Sequence, residues 1–352
     1  MRALSGGATR PVCCRATGRQ RGFVLVATLW VLALVAVVAV FFAERMGHAR
    51  ALALAAQART QALLDLSGAR ADMLYRLATT PVSLHGLGQD PATALALDDR
   101  PYRTLGNTQV QVQDNRGLLN LNIVDDERLG RFLGVLGVPP ERRSALVDAL
   151  RDYVDEDNLK RLNGAEAAEY AAAGLPPPRN ARLVAPLEAR RIYGWAQAPE
   201  LWKDDVLHRL TTTSGSFSMN PNTAPWQVLA AMRNMTPEGV QAIVAARKLA
   251  PIASPQQVMA LTGVQISTDP MLTDVIALPA DSWRVTQQAP GMGWGWRYNV
   301  TLTPVSDFSP WRIDYFYRVE LPLQNVQSEA PQPLPARTPS PAAQPAGIPP
   351  PF

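Results

Sequence analysis

The alternation of apolar and polar positions divides the chain into a long helix, a short strand region, a helical block and a second strand region. From Phe23 to Ala43 the sequence reads FVLVATLWVLALVAVVAVFFA, without a charge, a Pro or a Gly. At about 1.5 Å per residue such a helix spans ~30 Å, the thickness of a bilayer's hydrocarbon core. The helical pattern continues through residues 44–78, rich in Ala, Leu, Arg and Gln and free of Pro. Leu52, Ala56, Leu63, Leu66, Leu74 and Leu77 fall there mostly at helical spacing. Thr79-Thr80-Pro81 ends it. The pattern predicts one helix of more than 50 residues, apolar in its first half and amphipathic in its second.

Residues 81–106, punctuated by Pro81, Gly86, Gly88, Pro91, Pro101 and Gly106, read as loop. Gln109-Val-Gln-Val-Gln-Asp114 alternates as a half-buried strand does, Asn115-Arg-Gly117 reads as a turn, and Leu118–Ile123 as a second strand. Residues 125–277 carry helical patterns at 126–136, 139–153, 164–173, 186–193, 199–206, 224–233, 237–247 and 255–261. Strands return at 283–287, 297–304 and 312–323, where the stripe from Trp311 to Tyr317 reads as sheet core. Strands on both sides of a helical block are most simply one sheet with a helical insertion, an α+β fold. Residues 328–352 are dense in Pro and read as a disordered or polyproline II spacer.

Charge changes the picture once. The formal net charge is +4, but five of the 34 basic residues (Arg2, Arg10, Arg15, Arg19, Arg21) lie in residues 1–22, which contain no acid. The remainder has 29 basic against 30 acidic residues, so its net charge does not call for nucleic acid. Arginines before the apolar run hold the N-terminus in the cytoplasm by the positive-inside rule and send the bulk of the chain across the membrane. The only cysteines, Cys13 and Cys14, are adjacent and sit in this leader, which excludes a disulfide framework and a Cys-based metal site. His48, His85 and His208 are too far apart in sequence to suggest a histidine-rich metal centre.

Arg21-Gly22-Phe23, a basic leader ending in Gly before an apolar stretch, resembles the type IV pilin signal. The resemblance implies cleavage between Gly22 and Phe23 by a prepilin peptidase, methylation of the new N-terminus, and retention of the apolar helix. Pilins and most pseudopilins carry Glu at the fifth mature position; here it is Ala27. In the resembling fibres that Glu neutralises a neighbour's charged N-terminus, and the minor pseudopilin K type is the one that typically lacks it.

Four further motifs follow in order: Asp114-Asn-Arg-Gly-Leu-Leu-Asn-Leu-Asn122, the acidic turn Asp152–Asp157, Gly164-Ala-Glu166, and Asn220-Pro-Asn-Thr-Ala224. Together they resemble the general secretion pathway protein K family over about residues 21–322. The resemblance implies a pilin-like long N-terminal helix on an antiparallel sheet, with a large inserted all-α domain that is SAM-like and helix-hairpin-helix-like. The expected division is leader 1–22, membrane helix 23–43, amphipathic helix 44–80, head 81–124, helical insertion 125–277, head strands 278–327 and tail 328–352. The expected role is a minor pseudopilin at the tip of the type II secretion pseudopilus, anchored in the inner membrane by one span with its bulk in the periplasm. Expected partners are the I and J types of minor pseudopilin, the prepilin peptidase and the inner-membrane secretion platform. Other readings are a membrane-anchored DNA-binding protein for DNA uptake and a minor type IV pilin.

Asp152, Asp155, Asp157 and Glu166 collect hard oxygen ligands of the kind Ca²⁺ takes. Counting Asp155 as position 1 puts Glu166 at 12, as in an EF-hand, but Leu159 and Lys160 fall at 5 and 6, so the loop is not one. Family members bind calcium in the helical domain, which the resemblance extends to these four residues; the other reading is a solvated helix end with Asp155 capping the next turn. No nucleophile or base accompanies them, so an assembly component rather than an enzyme is expected. Residues 224–261 resemble helix-hairpin-helix repeats, but the turn Arg233–Glu238 lacks Gly-x-Gly and offers a carboxylate. DNA binding is therefore not expected, and Asn222 and Thr223 read as N-cap residues. Gly291-Met-Gly-Trp-Gly295 precedes a strand and reads as a hairpin loop rather than a nucleotide loop.

Mass spectrometry of membrane-extracted protein should find Phe23 as the N-terminus, and a large residue in place of Gly22 should abolish the cut. An intact Met1 in peptidase-competent cells, or a cut near residue 43, contradicts the reading.

Overall fold

A computed structural model describes residues 21–104, 107–215, 217–269, 273–322 and 332–335. The leader before Arg21, and the tail apart from Gln332–Pro335, lie outside the described residues. The chain falls into two units, Met1–Gln61 and Ala62–Phe352. Helix α1 (Arg21–Thr79) begins in the first, where its apolar window has no buried residue and meets the length and composition of a membrane span. Leu52, expected on the packed face, is 72 % exposed there. Within the second unit α1 buries Ala62, Leu66, Ala69, Met73 and Leu77, steps of three and four that keep one face inward.

After α1 come a small hairpin, β1 (Val82–Ser83) with β2 (Gly86–Leu87), and strands β3 (Asp98–Arg103) and β4 (Gln109–Asp114). A 3₁₀ turn (Asn115–Gly117) leads to β5 (Leu119–Asn120) and helices α2 (Asp126–Val135), α3 (Pro140–Val154) and α4 (Ala167–Ala172). 3₁₀ turns at Pro186–Arg191, Pro199–Leu201 and Lys203–Asp205 precede α5 (Val206–Leu210) and β6 (Thr211–Thr212). Helices α6 (Trp226–Ala230), α7 (Pro237–Leu249) and α8 (Pro255–Thr262) follow. The chain then returns through β7 (Ser282–Gln288), β8 (Trp294–Leu302) and β9 (Trp311–Glu320), and β10 (Gln332–Pro333) is the last described strand. The sheet order is β10-β3-β4-β7-β8-β9, antiparallel except for the parallel β10–β3 pair.

The two faces of this sheet differ. Val112, Val285 and Tyr298 lie opposite one another across β4, β7 and β8 and pack with Met73, Leu77 and Leu97 in one core. One residue along, Gln113, Arg284, Asn299 and Tyr315 form a buried row on the other face. That polar row meets the helical region. Arg284 donates to the carbonyls of His208 (2.9 Å) and Arg209 (2.7 Å) and pairs with Asp99 (3.0 Å). Arg297 pairs with Asp205 (2.5 Å), which also holds His208 Nδ1 (2.5 Å). The helical region has its own core, running from Leu119 to Val275 around Phe132, Tyr170 and Trp195.

Five expectations change. The stretch read as loop at 81–106 contains β3, hidden from pattern reading because Asp98, Asp99 and Pro101 break the alternation of an edge strand. The strand read at 118–123 shrinks to β5 and pairs in parallel with β6, within the helical region. Asn222 and Thr223 are not N-caps, because the N-cap of α6 is Pro225. Asn222 instead donates to the carbonyls of Ile252 (2.9 Å) and Ala277 (3.2 Å). The aromatic stripe on β9 is only partly core: Tyr315 is buried in the polar row, whereas Phe316 is 41 % exposed. The tail is not all spacer, since Gln332–Pro333 is a strand.

The exit from the sheet is tied by one carboxylate. Asp114 is fully buried and accepts from the Arg116 (3.1 Å) and Ala280 (2.8 Å) amides, Asn220 Nδ2 (2.9 Å) and Thr223 Oγ1 (2.9 Å). Gly117 lies so close that a Cβ there would sit 2.7 Å from the Thr223 carbonyl oxygen. Asp114→Ala strands four donors, so it should lower unfolding stability by about 3 kcal/mol. Chemical denaturation of the detergent-solubilised chain checks this; a change below about 1 kcal/mol means the knot is peripheral.

Candidate functional site

Helix α3 ends in the acidic turn. Its apolar face (Leu146, Val147, Leu150, Tyr153) is buried, which carries Asp152 inward on the last turn and leaves Asp155 as the C-cap. Glu166 is the N-cap of α4. The loop between them brings one oxygen each of Asp155, Asp157 and Glu166 within 4.8 Å of one another. Asp152, expected as a fourth member, is not among them. It is fully buried, accepts the Arg161 amide through both oxygens (3.3 and 3.2 Å), and lies against Gly164, where a Cβ would collide with its carboxylate. The glycine of Gly-Ala-Glu thus makes room for an anchor, and Asp152 shapes the loop that carries the others.

The loop cations point elsewhere. Lys160 pairs with Glu169 (2.8 Å), and Arg161 pairs with Asp126 (2.8 Å). Among the described residues no Lys or Arg forms an ion pair with Asp155, Asp157 or Glu166. Glu166 is 5 % exposed, and apart from the capping-box contact with the Glu169 amide neither of its carboxylate oxygens, nor Asp155 Oδ1, meets a hydrogen-bond partner. Burial, reinforced by the charges of Asp152, Asp155 and Asp157, pushes the Glu166 carboxyl from 4.5 up to about 7. Asp155 is raised too, first by burial and then by Asp157.

This donor set fits a hard divalent cation. Two oxygens bound about 2.4 Å from one Ca²⁺ are at most about 4.8 Å apart; Glu166 is buried and Asp155 half-buried, each with oxygen left for an ion, while Asp157 is exposed and accepts the Leu159 amide through Oδ1 (2.7 Å). The 1-and-12 spacing of Asp155 and Glu166 was the sequence signal; the anchoring role of Asp152 had none short of the fold.

The hairpin read as a nucleic-acid element offers little to phosphate. Arg233 pairs with Glu127 (3.1 Å), and Arg247 is turned inward to the carbonyls of Pro221 (2.9 Å) and Ala224 (2.6 Å). Gly22 and Phe23 both lie within α1.

The family described as Type II secretion system (T2SS), protein K matches residues 112–200 and residues 219–277. A type II secretion system protein K of Pectobacterium carotovorum subsp. carotovorum is 28 % identical, covering 65 % of this chain and 76 % of that protein. The fold is similar to a chain in the crystal structure of the GspK–GspI–GspJ complex from enterotoxigenic Escherichia coli. The TM-score is 0.50 at 18 % identity, over 75 % of this chain and 98 % of that one.

With chelator present, Glu166 binds more protons in the folded than in the unfolded chain between pH 4.5 and about 7. The wild-type chain therefore loses stability as pH rises through that window. Glu166→Gln should remove this loss, so its melting advantage over wild type should be larger at pH 8 than at pH 5. Equal advantages at both pH values contradict the raised carboxyl.

Proposed function

Because the chain is a member of the type II secretion system protein K family, we propose that it ends the pseudopilus, priming and capping its assembly for protein export. It is a minor pseudopilin of type II secretion. The observation that carries the tip position is the uncharged helix from Phe23 to Ala43, with Ala27 in place of an acid, in a chain whose helical insertion has its own core. A carboxylate in an apolar fibre interior is tolerated only when paired, and a subunit that offers none cannot neutralise a neighbour's ammonium group. The bulk of the helical region would also obstruct addition of a further subunit over it.

The same reading puts the apolar part of α1 in the inner membrane, Arg21 and the leader on the cytoplasmic side, and the remaining chain in the periplasm. Prepilin peptidase would cut after Gly22, and the secretion platform in the inner membrane would assemble the product. The I and J types of minor pseudopilin are the proposed partners; the similar solved chain is part of such a complex. Asp155, Asp157 and Glu166 would hold Ca²⁺, whose charge would relieve the repulsion among three carboxylates and fix the α3–α4 loop. Asp152 would act on the ion only through the loop it anchors.

Co-expression with the I and J types should yield a complex stable to size-exclusion chromatography, while duplex DNA at low salt should not be retained. A chain that ignores both partners and binds DNA with steep salt dependence overturns the proposal. Calcium at about a hundred times its dissociation constant should stabilise the fold by ~2.7 kcal/mol, and Glu166→Ala should abolish that gain.

A further inference from the structure

Strand β3 carries two devices that keep other strands away. The ladder to β4 is interrupted by a bulge between Asp98 and Pro101, with Asp99 in the left-handed region (φ 67°). Pro101 itself has no amide to offer. Only Tyr102 and Arg103 remain as regular edge, and these are the two residues that β10 covers, Gln332 opposite Tyr102 and Pro333 opposite Arg103.

The cover is held at three points. The Leu334 amide donates to the Arg103 carbonyl (3.0 Å). The Leu334 side chain, partly buried, packs on the core shared by the sheet and α1. Arg76, fixed by Asp72 (2.8 Å), donates Nη1 to the Pro335 carbonyl (2.8 Å). The sequence Gln332-Pro-Leu-Pro335 alternates prolines with residues that keep an amide. The Leu334 amide faces β3, so the alternate positions, Pro333 and Pro335, face outward and carry no N–H. A further strand would find no donor on that side.

We propose that the Tyr102–Arg103 edge, with Arg76 and the adjoining apolar core, is a docking groove for an extended peptide alternating proline with other residues. Its occupant is this chain's own segment Gln332–Pro335, which closes the sheet against strand addition. That segment meets the groove at all three points, through the Leu334 amide, the Leu334 side chain and the Pro335 carbonyl.

Hydrogen exchange on the full chain tests the docking directly. The Leu334 amide should be protected at every protein concentration, and Leu334→Asp should speed its exchange at least about tenfold. A chain ending at Pro322 should bind a synthetic peptide of residues 329–338, whereas the full chain should not. Arg76→Ala in the shortened chain should weaken that binding about tenfold, the loss of one charge-assisted hydrogen bond. Exchange of Leu334 at the rate of an unstructured peptide overturns the proposal. So does protection that grows with protein concentration, which would assign the groove to a neighbour's tail, or a shortened chain that keeps its melting transition yet ignores the peptide.

Discussion

A single buried carboxylate sits where two packing systems meet. Asp114 is the last residue of β4, and all of its partners come from segments that must converge for the head to exist: the turn at Arg116, the Asn220–Thr223 corner and the return at Ala280. Burial pushes this carboxyl above its ordinary value, and the four donors act against that shift. A group so placed has no neutral substitute, because removing it leaves the donors buried and unmatched. The sequence motifs around it follow from that constraint. Gly117 admits the Thr223 backbone, and Asn220 and Thr223 supply the side-chain donors.

The joint between sheet and helical region is polar over much of its area. Two arginines, each almost fully buried, reach across it, Arg284 to the carbonyls of His208 and Arg209 and Arg297 to Asp205. Apolar surfaces slide with little penalty, whereas a guanidinium that loses its carbonyls leaves several donors stranded. The row Gln113–Arg284–Asn299–Tyr315 therefore fixes the register between the two parts more than it adds to their cohesion. Each part keeps its own hydrophobic cluster for that purpose.

Much of this was readable from residue order. The long helix, the α+β class and the paired strands flanking a helical block follow from apolar periodicity, which is local and strong. What escaped is what periodicity does not encode. Strand β3 is marked by Asp98, Asp99 and Pro101, residues that disfavour strands in general yet suit an edge. Asn222 and Thr223 carry the residue types of a helix cap, but their side chains bond to segments 30 to 109 positions away, and nothing local reveals that. At the acidic turn the spacing of Asp155, Asp157 and Glu166 was legible. The inward turn of Asp152 depends on which face of α3 is buried, and hence on the whole helical core.

Strands β4 and β7 are neighbours in the sheet, with Asp114 opposite Trp283, although a whole helical region lies between them in the chain. Were that region absent, the two would form an ordinary hairpin. Closing a flexible loop of this length costs about 4–5 kcal/mol of chain entropy before any ladder bond forms. A helical region already folded on its own core brings its two ends together at the Asp114–Ala280 contact and shortens that loop to a few residues. The order of events is thereby biased: the inserted region folds early, and the sheet that sequence order begins is completed last.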